Sequence, residues 1–167
     1  MVVGMTIPGD GSCMGTGSVI FRRAAPDDLD TIVALLADDP IGRGRESPGP
    51  QLDACYREAF ASIERDPNQL LVVAERGGQV IGVLQLSFIP GLTRRGMWRG
   101  QIEGVRVATG ERAGGIGRAL LEWAIEECRR RGCGLVQLTS DKRRSAAHGF
   151  YEALGFEATH QGYKLSL

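Results

Sequence analysis

The chain has 167 residues, 43% of them hydrophobic and 24% charged, which is the size and composition of one globular domain. Its 20 basic and 20 acidic side chains cancel, and this excludes a nucleic-acid binder that works through its net field. No apolar run approaches the roughly 18–20 residues of a bilayer span, and no basic residue precedes Arg22, so neither a membrane span nor a secretory signal is expected and the expected location is the cytoplasm.

Residues 1–18 contain five glycines and one proline without apolar periodicity, and are expected to be a flexible leader to a single domain over residues 19–167. Val19–Arg23 reads as a strand. Pro26, Asp27 and Asp28 open a helix, because proline at a first helical position gives up no needed donor and acids suit the positive helix end. Leu29, Ile32, Val33, Leu35 and Leu36 supply its buried face. Pro40–Pro50 is a loop, and Gln51–Arg65 resumes a helical pattern. Leu70–Glu75 and Gln79–Phe88 are strands joined by a Gly77-Gly78 hairpin turn. After a loop over Pro90–Gly100 come a strand over Ile102–Val107, a glycine-rich turn and a helix over Ile116–Arg131, with Ile116, Ala119, Leu120, Trp123, Ala124 and Cys128 on one stripe. Glu126 and Arg130 stand at i,i+4 spacing on its wet side. Leu135–Thr139 is a strand, Ser145–Leu154 a helix and Glu157–Leu165 a closing strand. This order gives an α/β fold with a mixed sheet and a parallel crossover around the long helix.

Cys13, Cys55, Cys128 and Cys133 have neither paired C-x-x-C spacing nor neighbouring histidines, so no metal is expected. Cys128, on the apolar stripe, reads as a small buried hydrophobe. Eighteen of the 20 basic residues are arginines; a genomic base bias explains most of them, and those facing a pocket would favour bidentate anion recognition.

The most informative stretch follows the Val105-Arg106-Val107 strand, where Gly114, Gly115 and Gly117 stand at the start of the amphipathic helix. Free amides and the helix dipole favour an anion there. A dinucleotide fingerprint would need glycine at Leu120, and a P-loop would need Gly-Lys-Ser/Thr at Gly117-Arg118-Ala119; neither is met. Arg112-x-x-Gly115-x-Gly117 behind a Val-x-Val strand resembles the coenzyme A pyrophosphate loop of the GNAT N-acetyltransferase superfamily. His148-Gly149-Phe150-Tyr151-Glu152-Ala153-Leu154-Gly155-Phe156 is similar to its second signature.

The resemblance spans Val19–Leu167 and implies a highly twisted mixed β-sheet, splayed between its fourth and fifth strands and flanked by helices. It also implies acetyl-coenzyme A as acetyl donor, with its pantetheine arm on the backbone of Val105 and Val107 beside Arg106. The pyrophosphate would lie on Arg112, Ala113, Gly114, Gly115, Ile116, Gly117 and Arg118. Where members often carry an asparagine that helps to hold the cofactor, seven residues before the tyrosine, this chain has Arg144. The implied activity is acetyl transfer to a primary amine of a small molecule. The alternatives are acetylation of a protein or peptide amine, or a non-catalytic domain that binds or senses acyl-coenzyme A. No nucleic acid or membrane partner is implied; the oligomeric state is open, with a homodimer among the expectations.

Such a transfer needs a proton removed from the amine, an oxyanion stabilised and a proton delivered to the departing thiolate. By resemblance, Glu103 is the base, often through water, the Val105 amide the oxyanion donor, and Tyr151 the acid. Simple alternation points Glu103 and Val105 to the same face, yet Gly104 between them suits a β-bulge that re-aims a side chain. His148 and His160 stand in no triad or metal spacing. Arg94, Arg95, Arg99 and Trp98 before the catalytic strand, with Arg43, Arg45 and Glu46 after the first helix, surround a place where the family builds acceptor pockets. There arginine could grip an acidic group, although a solvated hairpin tip is the simpler reading. The C-terminal quarter also looks like aminoalkylphosphonate N-acetyltransferases.

Overall fold

Five strands form one sheet in chain order in a computed structural model that describes residues 17–39, 44–49, 51–112 and 114–167. Strands β1 (Ile20–Arg23), β2 (Gln69–Arg76), β3 (Gln79–Ile89) and β4 (Arg99–Val107) run antiparallel, and β5 (Leu135–Leu138) runs parallel to β4. Gly77 and Gly78 join β2 to β3 with φ of +58° and +79°, the left-handed pair that a tight hairpin requires. A parallel neighbour needs a crossover. Helix α4 (Ile116–Arg130) supplies it between β4 and β5.

The sheet has an apolar core on each face. On one, Ile116, Leu120, Leu121, Ala124 and Cys128 of α4 pack on Phe21, Leu84, Leu86 and Ile102. Val105, Val107 and the aromatic residues of α5 (Ser145–Glu152) join them. On the other, α1 (Leu29–Ala37) and α2 (Ala54–Arg65) place Ile32, Leu35 and Phe60 over Leu71, Val73 and Val83. Each fully buried side chain of this size contributes about 1.5–3 kcal/mol. Packing is tight where β4 meets α4: a Cβ on Gly100 would lie 2.2 Å from Cys128 Sγ. Burial pushes the Cys128 thiol up to about 12, which makes it an inert core group, as the stripe pattern predicts.

Three sequence expectations are corrected. No strand forms over Glu157–Leu165; the ladder ends with β5, and the alternating Tyr163 and Leu165 are 85% and 87% exposed because no neighbouring strand pairs with them. The loop before β4 contains α3 (Thr93–Gly96), whose central Arg94 and Arg95 have positive φ and form a left-handed turn. Arg130 pairs with Glu127 and Arg129 with Glu126, in place of the Glu126–Arg130 pair. The expected leader lies mostly outside the described residues, as do Cys13, Arg43 and Ala113. No described helix is long and apolar enough to cross a membrane.

Candidate active site

Strand β4 changes character halfway along. Arg99–Ile102 pairs with Leu135–Leu138 of β5, and the pairing stops there, so Glu103–Val107 has β3 on one side and no strand on the other. This is the opening the resemblance implies. At the same point the register against β3 slips. Gln85 faces Glu103 and Val83 faces Arg106, so Gly104 and Val105 together oppose Leu84. Gly104 has φ of +62°, so this bulge favours glycine. The extra residue resets the alternation, and Ile102, Val105 and Val107 all face the α4 core. Glu103 and Arg106 therefore project from the opposite face, toward α1.

The backbone of the opened half is aimed by the same geometry. Ala108 N–H donates to Ile81 O at 2.9 Å, and strand alternation then turns the N–H and C=O groups of Val107 and Val105 away from β3, into the opening. Their carbonyls accept from arginines: Arg106 Nη1 reaches Val105 O at 2.7 Å, and Arg112 Nε reaches Val107 O at 3.1 Å. Arg112 also ties the loop to the end of α1 through Asp38 Oδ2 at 2.8 Å. By the same alternation the Val105 and Val107 amides point to the side of β4 where no described strand pairs.

Just beyond, Gly115 caps α4 with φ of +75°, and the first bond onto this cap runs from Ala119 N–H to Gly115 O. The amides of Ile116, Gly117 and Arg118 precede any intrahelical acceptor. Open space surrounds the Cβ position of Gly115, and a Cβ on Gly117 would meet Phe150 and Val107 at 3.7 and 3.8 Å. The nearby acid, Glu111, is neutralised by Arg76 Nη1 at 2.7 Å. Gly114 N–H donates to Glu111 O at 3.1 Å, which takes this amide out of the expected phosphate cradle, and Arg118 pairs outward with Glu122.

On the far side of the opening, Tyr151 is partly buried in α5, its ring 5.5 Å from Phe150 and edge-on to Phe156 at 6.1 Å. Burial pushes its phenol above the ordinary value, opposed by the charges of Arg144 and Arg106. The hydroxyl makes no hydrogen bond to a described residue. Ser140 Oγ, two residues past β5, and Arg106 Nε are buried and have no partner among the described residues. Arg144 and Arg106 converge on Asp39, which lies just after α1. His148 Nε2 lies 3.0 Å from Asp141 O, and His160 pairs locally with Thr159.

Beside Glu103 the α1-side face of the sheet is polar. Gln85 Nε2 and Ser87 Oγ donate to Gln69 Oε1 at 3.1 and 2.7 Å, and Gln137 Nε2 donates to Gln101 Oε1 at 2.7 Å. Glu103 is exposed next to this row and bonds to none of it. The sequence reading missed the row and Asp39. The row has a signal, since Gln85 and Ser87 alternate with buried Leu84, Leu86 and Phe88; Asp39 has none. In the loops expected to flank the acceptor, Arg94, Arg95 and Arg45 are exposed, and Glu46 accepts from Tyr56 O–H at 2.9 Å.

Comparison with known proteins agrees with this fold. Residues 29–156 match the model of the acetyltransferase (GNAT) family. The chain is 33% identical over 140 residues to the aminoalkylphosphonate N-acetyltransferase of Salmonella typhimurium, covering 83% of this chain and 85% of that one. It is 37% identical over 90 residues to the glucosamine 6-phosphate N-acetyltransferase of Trypanosoma brucei brucei, covering 54% and 59%. Among solved structures, one from Bacillus halodurans C-125, described as a transcriptional regulator, is 47% identical with a TM-score of 0.87, covering 89% of this chain and 99% of that one.

Proposed function

Given that the chain belongs to the acetyltransferase (GNAT) family and is an acyltransferase, we propose that it transfers the acetyl group of acetyl-coenzyme A to the primary amine of a small molecule that carries an acidic group. The observation that carries this reading is the unpaired half of β4 next to the free amides of α4. Strand amides turned into the opening and a buried Ser140 Oγ without a partner among the described residues suit a peptide-like arm, and the glycine-lined start of α4 suits a pyrophosphate. Val105 and Val107 would hold the arm, and the amides of Gly115, Ile116, Gly117 and Arg118 the phosphates, with Arg112 bracing the loop. When bound, acetyl-coenzyme A supplies the reactive thioester.

The chain's own groups supply the proton transfers. Glu103, solvent-facing and free of described ion pairs, collects the proton of the acceptor ammonium through water. Tyr151, kept protonated by burial, delivers a proton from its hydroxyl to the departing sulfur. The Val105 amide would donate to the oxyanion that forms at the thioester carbonyl. The relatives from Salmonella and Trypanosoma are named for amines that bear a phosphonate or a phosphate, which supports an acidic acceptor here.

Acetyl-coenzyme A at a hundredfold excess over its dissociation constant should stabilise the native protein by about 2.7 kcal/mol. Gly117→Glu, which puts volume and negative charge at the helix start, should abolish that gain while still folding; native affinity in this variant would place the cofactor elsewhere. The Bacillus neighbour's description favours a second reading, a domain that senses acyl-coenzyme A without turnover. Thiol release with a panel of amines separates the two, because a sensor binds the cofactor and releases no thiol above background.

A further inference from the structure

Among the described residues, three charged side chains meet where the opened half of β4, the end of α1 and the start of α5 come together. Asp39 is buried, 3% exposed. Its Oδ2 accepts from Arg106 Nη2 at 2.6 Å and from Arg144 Nη2. The two arginines come from elements far apart in sequence, and one carboxylate fixes both guanidiniums. Together the three side chains carry one net positive charge.

Proton transfer and the hold on the thioester need none of these groups, yet their geometry is that of a receptor. A guanidinium has five N–H donors in a fixed fork. Arg106 uses Nη1 on Val105 O and Nη2 on Asp39, and its Nε is buried with no acceptor among the described residues. Arg144 donates to Asp39 through Nη2 alone among the described residues, and its side chain is 29% exposed. A buried donor without an acceptor calls for an occupant that accepts. The β4 bulge sends Arg106 to the same face as Glu103 and away from the face of Val105 and Val107. Along a strand, neighbouring positions on one face stand about 7 Å apart. A carboxylate and a pair of oriented guanidiniums are thus set out for a short molecule with an ammonium at one end and an oxyanion at the other.

We propose that Arg106 and Arg144, oriented by Asp39, bind a phosphonate or phosphate group of the amine acceptor, with Glu103 facing its ammonium end. This assignment rests on the acetyl-transfer reading above. It moves both arginines from the cofactor, where the family resemblance puts them, to the acceptor. A tetrahedral dianion brings three terminal oxygens and up to two negative charges to the two guanidiniums, where a carboxylate brings two oxygens and one charge.

The test titrates methylphosphonate, at constant ionic strength, into native protein saturated with coenzyme A, and compares 2-aminoethylphosphonate with propylamine as acceptors. Methylphosphonate should bind with coenzyme A in place. Arg106→Gln and Arg144→Gln should each weaken that binding at least tenfold and lower the kcat/KM advantage of 2-aminoethylphosphonate over propylamine by the same factor, with Arg144→Lys recovering part of it. Arg143→Gln removes the same charge from the neighbour that pairs with Asp141, and should leave the advantage intact. Displacement of methylphosphonate by coenzyme A would return the arginines to the cofactor. An equal loss for both acceptors in folded variants would make the cluster a structural brace. Thiol release without methylphosphonate binding overturns this inference alone; methylphosphonate binding without thiol release from any amine overturns the acetyl-transfer reading and the acceptor role with it.

Discussion

The first four residues of β4 and its last five are opposites. Arg99–Ile102 has a strand on each side, Gly100 lies against Cys128 and Ile102 is buried. Glu103–Val107 has a strand on one side, contains a glycine bulge, and turns two amides away from β3 toward the side where no described strand pairs. Packing dictates the first half; the second gives up sheet hydrogen bonds that a longer β5 would have supplied. An unpaired backbone is costly when buried, and the fold accepts that cost beside the start of α4, where further free amides converge. Within one strand, a half that stabilises adjoins a half that is free to bind.

The largest test of this contrast is at the opened end. Tyr151→Phe keeps the ring against Phe150 and Phe156 and removes the proton, so turnover should fall by roughly 10²–10⁴ with acetyl-coenzyme A affinity unchanged. Because burial raises this phenol, the native rate should not decline on the alkaline side until pH passes the ordinary tyrosine value of about 10. An unaltered rate in the variant would leave Tyr151 with packing alone. A smaller effect is expected at Glu103. The Gln variant should lose roughly 10² at neutral pH, the defect shrinking as rising pH supplies free amine and changing little with salt. A salt-sensitive loss of equal size at every pH would make Glu103 an anchor for the ammonium instead of a base. At the closed end the effect should fall on stability. Gly100→Ala overpacks the contact with Cys128 Sγ, and should lower unfolding free energy by about 1–3 kcal/mol while kcat/KM holds. Cys128→Ala in the same chain should recover part of the loss; if the single variant melts like the native protein, the contact is softer than its geometry.

Much of this contrast is legible in the sequence. The Gly77-Gly78 hairpin, the α4 stripe and the glycine-rich start of α4 are local signals, and local physics decides them. Gly104 between Glu103 and Val105 announces the bulge, because a glycine inside a strand of larger residues is otherwise a loss. The resemblance to the family supplied the splay, which no periodicity encodes. The link of Asp39 to Arg106 and Arg144 stayed hidden because they lie 67 and 105 residues away, and no pattern within an element reports a contact at that range. The alternation of Tyr163 and Leu165 misled, since a strand exists only where a neighbour pairs with it. Arg94 and Arg95 take a left-handed turn although glycine comes only at Gly96, which runs against local preference.

The two faces of the opened half differ in what a mutation can reach. Toward the opening, β4 offers peptide N–H groups, which every residue except proline possesses, so replacing Val105 or Val107 with another residue of similar shape leaves the donors untouched. Toward α1 it offers the side chains of Glu103 and Arg106, each changeable by a single codon. On the reading proposed above, recognition of the donor is written in the backbone and is nearly immune to drift, while recognition of the acceptor is written in side chains and is open to revision. A lineage carrying this strand could therefore change what it acetylates without relearning how to hold the acetyl group.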